Sequence, residues 1–502
     1  MSHAFGGPAR SAFIALALAS PALALAQTAP PQSTPAETPP VQAVPGVGSA
    51  ASVLPGATVL PDMMYPGDNS AELGSEPTDL TRYGVAAGIG ETDNVNLSAT
   101  NPKSQTMAAA NADFDLRRTG SRLDGIAVGT FTDIDYLQHA FSNQVLGRFD
   151  GLLTAKMWSD RLKWAVADDF GEEQTNPFAA VTPVNLQRVN VFSTGPDLTL
   201  RPSDASFVKV DARYTRTTYQ TSPFDGHNFA GSAEVGEQIS PLSALSLVVA
   251  AEQLRFDNTL VNTDYERREA YGHYQISGAR TTIDAQLGVT QANDTGSWKT
   301  TPLARLALSR RVTPFSVVSL DAGREYTDSA GAFSNLRTGA AGGIVIAPVT
   351  QTTSNYLRNY GSAGWHFARL RTTIDITGTW ERDKHDLQSV FDTTREGVQL
   401  KVGRAITPQL TASVTGAYAH YDYFNQGFTD KFGTLGGGLA YQPGRWVIVY
   451  ARYEHAFRRT AGVATQLIGG NSYDENRVFV MIGYRPHSTN TEPGGAFGSG
   501  GG

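Results

Sequence analysis

The sequence predicts an all-β chain folded as a single transmembrane barrel, antiparallel and up-and-down, of about 20 strands, with about 18 the nearest alternative. Three observations predict it. A beat of roughly 40 residues runs from about position 82 nearly to the end, marked by short polar turns rich in arginine. Between successive turns lie two stretches that alternate apolar and polar residues, as strands with one face to lipid and one to a lumen must. After the first 26 residues no apolar run approaches the ~20 residues that a spanning helix needs.

Taken in order, the chain begins with what reads as a secretory signal peptide, residues 1–26. Arg10 supplies its positive charge, 12–25 its apolar region, and Ala24-Leu25-Ala26 a small-x-small cleavage site. Residues 27–81 follow as a Pro-rich linker with six acids and no lysine or arginine. Such a composition buries too little apolar surface to offset chain entropy, so the linker is expected to be disordered. The barrel is expected over 82–486, and 487–502 as a flexible, Gly-rich tail.

Within 82–486 the turns fall at 117–122, 159–161, 201–204, 240–241, 277–280, 310–314, 367–369, 404–408 and 442–445. Nine short turns and ten longer loops make nineteen connections, hence twenty strands. An even number brings both termini to one side, expected to be periplasmic, and the longer loops to the cell exterior. The alternation is clearest in four segments. Val145, Phe149 and Leu153 interleave with Arg148, Asp150 and Lys156; Val208, Val210 and Tyr214 with Lys209, Asp211 and Arg213. Ile283, Leu287 and Val289 interleave with Asp284; Ile374, Ile376 and Trp380 with Asp375 and Glu381. Charge costs several kcal/mol on a lipid face at mid-bilayer, so the polar sets, with Lys401, are the pore-lining candidates. Around 446–458 both faces carry apolar residues and the facing is left open. Tyr136, Phe141, Trp158, Trp164, Tyr219, Tyr265, Trp298, Tyr356, Trp365, Tyr421, Tyr423 and Tyr484 sit near strand ends and are expected in the two interfacial girdles.

Composition narrows the function. The chain has no cysteine, so it has no disulfide, thiol nucleophile or thiolate metal site. Its net charge of −7 and lack of basic clusters among exposed aromatics exclude nucleic acid as a partner. His385-Asp386 and His420-Tyr421-Asp422 are the tightest His/Asp pairs, but no third group joins them, and a catalytic triad is recognised by geometry. Asp113/Asp115 and Asp133/Asp135 put paired carboxylates on one strand face, the pattern of a wet strand end as much as of a Ca²⁺ site. Gly436-Gly437-Gly438 lacks the Lys-Ser/Thr and helix of a phosphate loop. No catalytic residue, metal or cofactor is therefore expected. The mixed charges of the polar faces are read either as the lining of a water-filled channel or as ion pairs that brace the wall. Arg310, Arg311 and Arg404 form a basic periplasmic rim, which would either concentrate an anionic polymer or contact lipid headgroups. Loop 328–350 is the candidate constriction.

Two segments carry a resemblance. Residues 83–98, with Glu91-Thr92-Asp93-Asn94-Val95-Asn96-Leu97-Ser98, resemble the opening strand of the outer-membrane β-barrel porins often encoded with exopolysaccharide biosynthesis systems. Residues 475–484 are similar to that family's closing strand. The resemblance implies an integral outer-membrane channel serving export of an exopolysaccharide, with lipid, the barrel-assembly machinery, polysaccharide and periplasmic export proteins as partners. A general diffusion porin and a plugged structural or adhesin-like barrel are the alternatives.

Overall fold

The computed structural model describes residues 80–158, 161–260, 262–294, 296–331, 355–462 and 472–486. The expected signal peptide, the linker as far as residue 79, the tail 487–502 and most of loop 328–350 lie outside these. The described residues form twenty strands. They are β1 (Leu80–Thr92), β2 (Gln105–Thr119), β3 (Leu123–Tyr136), β4 (Gln144–Trp158), β5 (Leu162–Gln174), β6 (Leu186–Leu200) and β7 (Ser206–Tyr219). Next come β8 (Gly226–Ser240), β9 (Ser243–Phe256), β10 (Tyr265–Ser277), β11 (Thr281–Asn293), β12 (Lys299–Thr313), β13 (Ser316–Thr327) and β14 (Tyr356–Arg369). The last six are β15 (Thr372–His385), β16 (Thr393–Ala405), β17 (Leu410–Tyr423), β18 (Phe428–Tyr441), β19 (Val447–Gly462) and β20 (Tyr473–Tyr484). The barrel opens at Leu80, two residues before the expected start, because Leu80 turns inward, is buried and pairs with Arg117.

Every strand pairs antiparallel with its chain neighbours, and β1 pairs with β20 from Val85–Tyr484 to Thr92–Arg477. The sheet is thus a closed barrel without a free edge, which a bilayer requires because it offers no hydrogen bonds to backbone. The short turns, all at one end, join β2 to β3, β4 to β5 and so on to β18 and β19. Both barrel termini lie at this short-turn end, and the longer connections lie at the other.

Because paired residues share a face, the register carries one facing around the whole barrel. Leu247, Leu287 and Ile482 are 63%, 70% and 58% exposed and belong to the outer face. That face forms an apolar belt, and the barrel is a transmembrane outer-membrane β-barrel. In β19, where alternation was ambiguous, Val447, Val449, Ala451 and Tyr453 pair within the outer set, and Tyr450, Arg452, Glu454 and Arg458 within the inner.

The aromatics divide differently from expectation. Trp158, Trp164, Trp365 and Tyr484 are exposed on the outer face near the short-turn end, where a girdle belongs. Tyr136, Tyr265, Tyr356, Tyr421 and Tyr423 instead point inward at the long-loop end and are buried. Loops fold onto them there, and an aromatic ring gains more from that packing than from an interface.

Gly378 lies on the outer face midway along β15, and a Cβ there would meet nothing nearer than the Gly397 carbonyl at 4.0 Å. Gly378→Arg therefore tests lipid facing without a steric clash. It is expected to cost about 2–4 kcal/mol and to block assembly, whereas the inward Thr377→Arg is tolerated. Heat-modifiable gel mobility of the two variants checks this; equal tolerance contradicts the facing.

Candidate functional site: the lumen wall and its long-loop mouth

All ten pore-lining candidates share the inward register. Their charges are engaged along the wall. Arg148 Nε donates to Asp150 at 3.0 Å, Lys156 meets Asp124 at 3.0 Å, and Lys209 meets Glu234 at 3.0 Å. Arg213 pairs with Asp197, and Asp211 accepts from the Ser232 hydroxyl. Asp284 lies 3.0 Å from His273 Nε2 and accepts from Gln275 at 2.9 Å. Asp375 faces His366 across the ladder to β14 and Lys401 across the ladder to β16. Glu381 accepts from Arg358 at 2.8 Å and Arg395 at 2.7 Å.

The basic rim is split by strand parity. Arg310 and Arg404 are exposed on the outer face near the short-turn end, and Arg311 alone shares the inward register. Asp113 and Asp115 point inward, Asp133 and Asp135 outward. His420 and Asp422 point outward, whereas His385 is buried and turns to Asp392 rather than to its neighbour Asp386. Burial works to raise the Asp392 carboxyl. The hydrogen bonds it accepts from His385 and Asn425 outweigh that and hold it below the usual carboxylate range. Gly436, from the glycine triplet, leaves room inside the wall: a Cβ there would meet Thr415 Oγ1 at 2.9 Å and Arg452 Nη2 at 3.2 Å.

The most buried charges lie at the long-loop end and were not singled out from sequence. Arg458 and Asp430, 1% and 0% exposed, are joined by a fork of hydrogen bonds, the shorter 2.6 Å. Arg395 binds Asp383, Arg477 binds Glu454, and Arg305 bridges Glu325 to Glu269. Arg267 meets Glu252 at 2.9 Å. Each occupies an inward position of its strand, so extending the alternation to the strand ends would have placed them. Their partners follow only from the register.

Over these pairs the loops fold inward. Loop 175–185 is knotted by Asn185, which accepts from Asn176 N at 2.8 Å and donates to the carbonyls of Asn176 and Ala180 at 2.9 and 3.0 Å. The knot drives Phe178 across the lumen onto Phe391, Tyr423 and Phe428, at ring separations of 5.7, 5.2 and 5.8 Å. There the Phe178 carbonyl accepts from Arg458 Nη2 at 2.6 Å. The opening motif corrects the sequence reading in the same way. Its strand ends at Thr92, and the following residues turn into the mouth because Asn94 and Asn96 bond local backbone. Val95 and Leu97 are buried there, with Leu97 at φ 51°. The expected constriction, 328–350, is described only at its start. Asp328 accepts from the buried Tyr265 hydroxyl at 2.5 Å and from Gly331 N at 2.7 Å.

Arg458 thus ties a loop to the far wall. Arg458→Ala strands a buried Asp430 and is expected to cost about 3–5 kcal/mol, while Arg458→Met with Asp430→Leu recovers most of that. Urea unfolding in lipid vesicles measures both; a single variant no worse than the double contradicts the pairing.

No curated protein sequence matches the chain. Among solved structures it is similar to the siderophore receptor PirA from Pseudomonas aeruginosa, at 11% identity over 82% of this chain and 81% of that one, with TM-score 0.41. It is similar to the ferric enterobactin receptor PfeA in complex with BCV-L6, at 8% identity over 82% of each chain, with TM-score 0.43. It is also similar to the FrpB iron transporter from Neisseria meningitidis, at 9% identity over 84% and 83%, with TM-score 0.38. Likenesses this distant carry no argument about cargo. Over residues 361–485, the greater part of β14 and all of β15 to β20, the chain matches the family described as "Putative beta-barrel porin 2", and this outer-membrane barrel is porin-like.

Proposed function

We propose that the barrel is an outer-membrane channel for the export of an exopolysaccharide. The observation that carries this reading is the lumen wall, which is polar along its length while its charges are neutralised within it. Such a wall wets readily but exerts little net field, which suits a hydrated polymer better than it suits selection among small ions. The inward loops 93–104 and 175–185 add a closable mouth, which fits export on demand. The short-turn end then faces the periplasm, where export proteins deliver the polymer, and lipid and the assembly machinery are the other partners. In this role the protein is a conduit and not a catalyst. A general diffusion porin is the second reading, favoured by the family description.

Purified protein in planar bilayers is expected to conduct little, and to conduct more when residues 177–184 are deleted. In cells, loss of the gene is expected to lower surface polysaccharide and leave uptake of small nutrients unchanged. Normal polysaccharide with slowed uptake establishes the diffusion porin instead.

A further inference from the structure

Three outward arginines at the long-loop end each meet a carboxylate: Arg216 with Asp257 at 2.6 Å, Arg255 with Asp264 at 3.5 Å and Arg459 with Asp474 at 2.6 Å. On β13 to β15 the same face carries three cations without one. Arg324, Asn359 and Arg382 follow one another in a single outward register row, and Lys384 lies two residues beyond Arg382. Strand spacing sets the two arginine backbones about 10 Å apart. Arg324 donates to Asn359 Oδ1 at 2.9 Å and to Thr301 Oγ1 at 3.1 Å, both neutral. Arg382 lies over the Phe424 ring at 5.4 Å. Among the described residues neither the Arg382 nor the Lys384 side chain makes a hydrogen bond or salt bridge, and both are exposed. Asp386, beyond Lys384, is bound by Lys299 at 3.2 Å. Glu396 and Asp422 are outward one and two strands further on, so the uncompensated charge is centred on β13 to β15.

Immediately below these cations the outer face turns apolar. Along β15 the outward positions descend from Arg382 through Trp380, Gly378 and Ile376 to Ile374. The outward positions beside them on β13 and β14 are Ala322, Gly361 and Ala363. A Cβ at Gly361 would meet nothing within 4 Å. These small residues, with Gly378, make a shallow depression rimmed by Leu320, Trp365, Ile376 and Trp380, which are 37% to 42% exposed. Arginine and lysine lay their stems along such apolar surface and keep their charge at its edge. Asn359, with its Oδ1 taken by Arg324, has its amide N–H groups to give in the same row. A molecule that matches this face is anionic at the level of Arg382 and Lys384 and hydrocarbon below it.

We propose that Arg324, Asn359, Arg382 and Lys384 bind the phosphate monoester head of a membrane amphiphile, whose acyl chain lies against the depression below. A phosphate monoester carries a charge of about −1.5 to −2 near neutral pH and offers three acceptor oxygens. Arginine meets two such oxygens with parallel N–H donors, and lysine adds a point charge. A single carboxylate head leaves most of the positive charge unanswered. The site lies on the outer face and does not depend on what the lumen carries.

Native mass spectrometry of the full chain in detergent, titrated with dioleoyl phosphatidic acid or dioleoyl phosphatidylcholine, tests the site. The parent is expected to bind phosphatidic acid about 30-fold more tightly, the weight of two interfacial cations. Arg382→Gln with Lys384→Gln is expected to abolish that preference. Arg382→Lys with Lys384→Arg, which keeps the charge, is expected to retain most of it. Arg216→Gln, on β7, is expected to leave it unchanged. Folding of each variant is checked by heat-modifiable mobility. Four results overturn the site: equal binding of the two lipids by the parent, a preference that survives in the glutamine pair, the same loss in Arg216→Gln, or displacement of the bound lipid by millimolar glycerol 3-phosphate, which makes it a site for free phosphate.

Discussion

The hydrogen-bonded weld of β1 to β20 is the constraint on which the rest of the barrel depends. In a bilayer an unpaired strand edge has no solvent to turn to, so two residues sets almost four hundred positions apart must meet in register. Side chains lock the weld at the long-loop end. Thr92 donates to Glu475 at 2.7 Å, Asp93 accepts from Asn476 N at 2.8 Å and its side-chain amide at 2.7 Å, and Asn94 donates to the Asp474 carbonyl at 2.7 Å. The two segments that resemble known porins are thus the two that close the cylinder. Their polar residues have a structural task before any role in transport.

Closure creates the second problem, a lumen end from which loops exclude water. Charges there survive only as pairs, because an isolated ion in a dry site loses its hydration without return. The mouth answers with arginine–carboxylate pairs between adjacent strands, and the loops rest on the aromatic rings beside them. Neutralisation and packing are one arrangement: Arg458 binds Asp430, lies over the Phe432 ring at 5.0 Å and holds the Phe178 carbonyl. The wall that results is polar below the mouth and firmly packed at it. The loop that crosses the lumen leaves from the top of β5, where the β4–β5 ladder has ended at Phe149–Phe170 and Glu172 accepts from Gly147 N instead.

Strand number, turn positions and the facing of β4, β7, β11 and β15 were legible in the sequence. Each depends on a local rule: side chains alternate with period two, and an arginine or lysine on the lipid side carries a large cost. The rule weakened wherever lipid ceased to be the neighbour. At the strand ends above the belt both faces tolerate aromatic and charged residues, so Tyr136, Tyr265, Tyr356, Tyr421 and Tyr423 gave no sign that they turn inward. Arg310 and Arg404 belong to the same class at the opposite end, where parity and not proximity to a turn decides which side they reach.

The sequence by itself therefore determined a porin-like barrel of twenty antiparallel strands with an apolar exterior and a polar interior, since periodicity and turn chemistry are written in adjacent residues. Only the tertiary structure decided which charges neutralise each other, which loop crosses the lumen and where the wall lacks rungs. Those outcomes join residues far apart in the chain, as Arg458 joins Phe178 across 280 positions, and they exist only once the sheet has closed and brought opposite walls within reach.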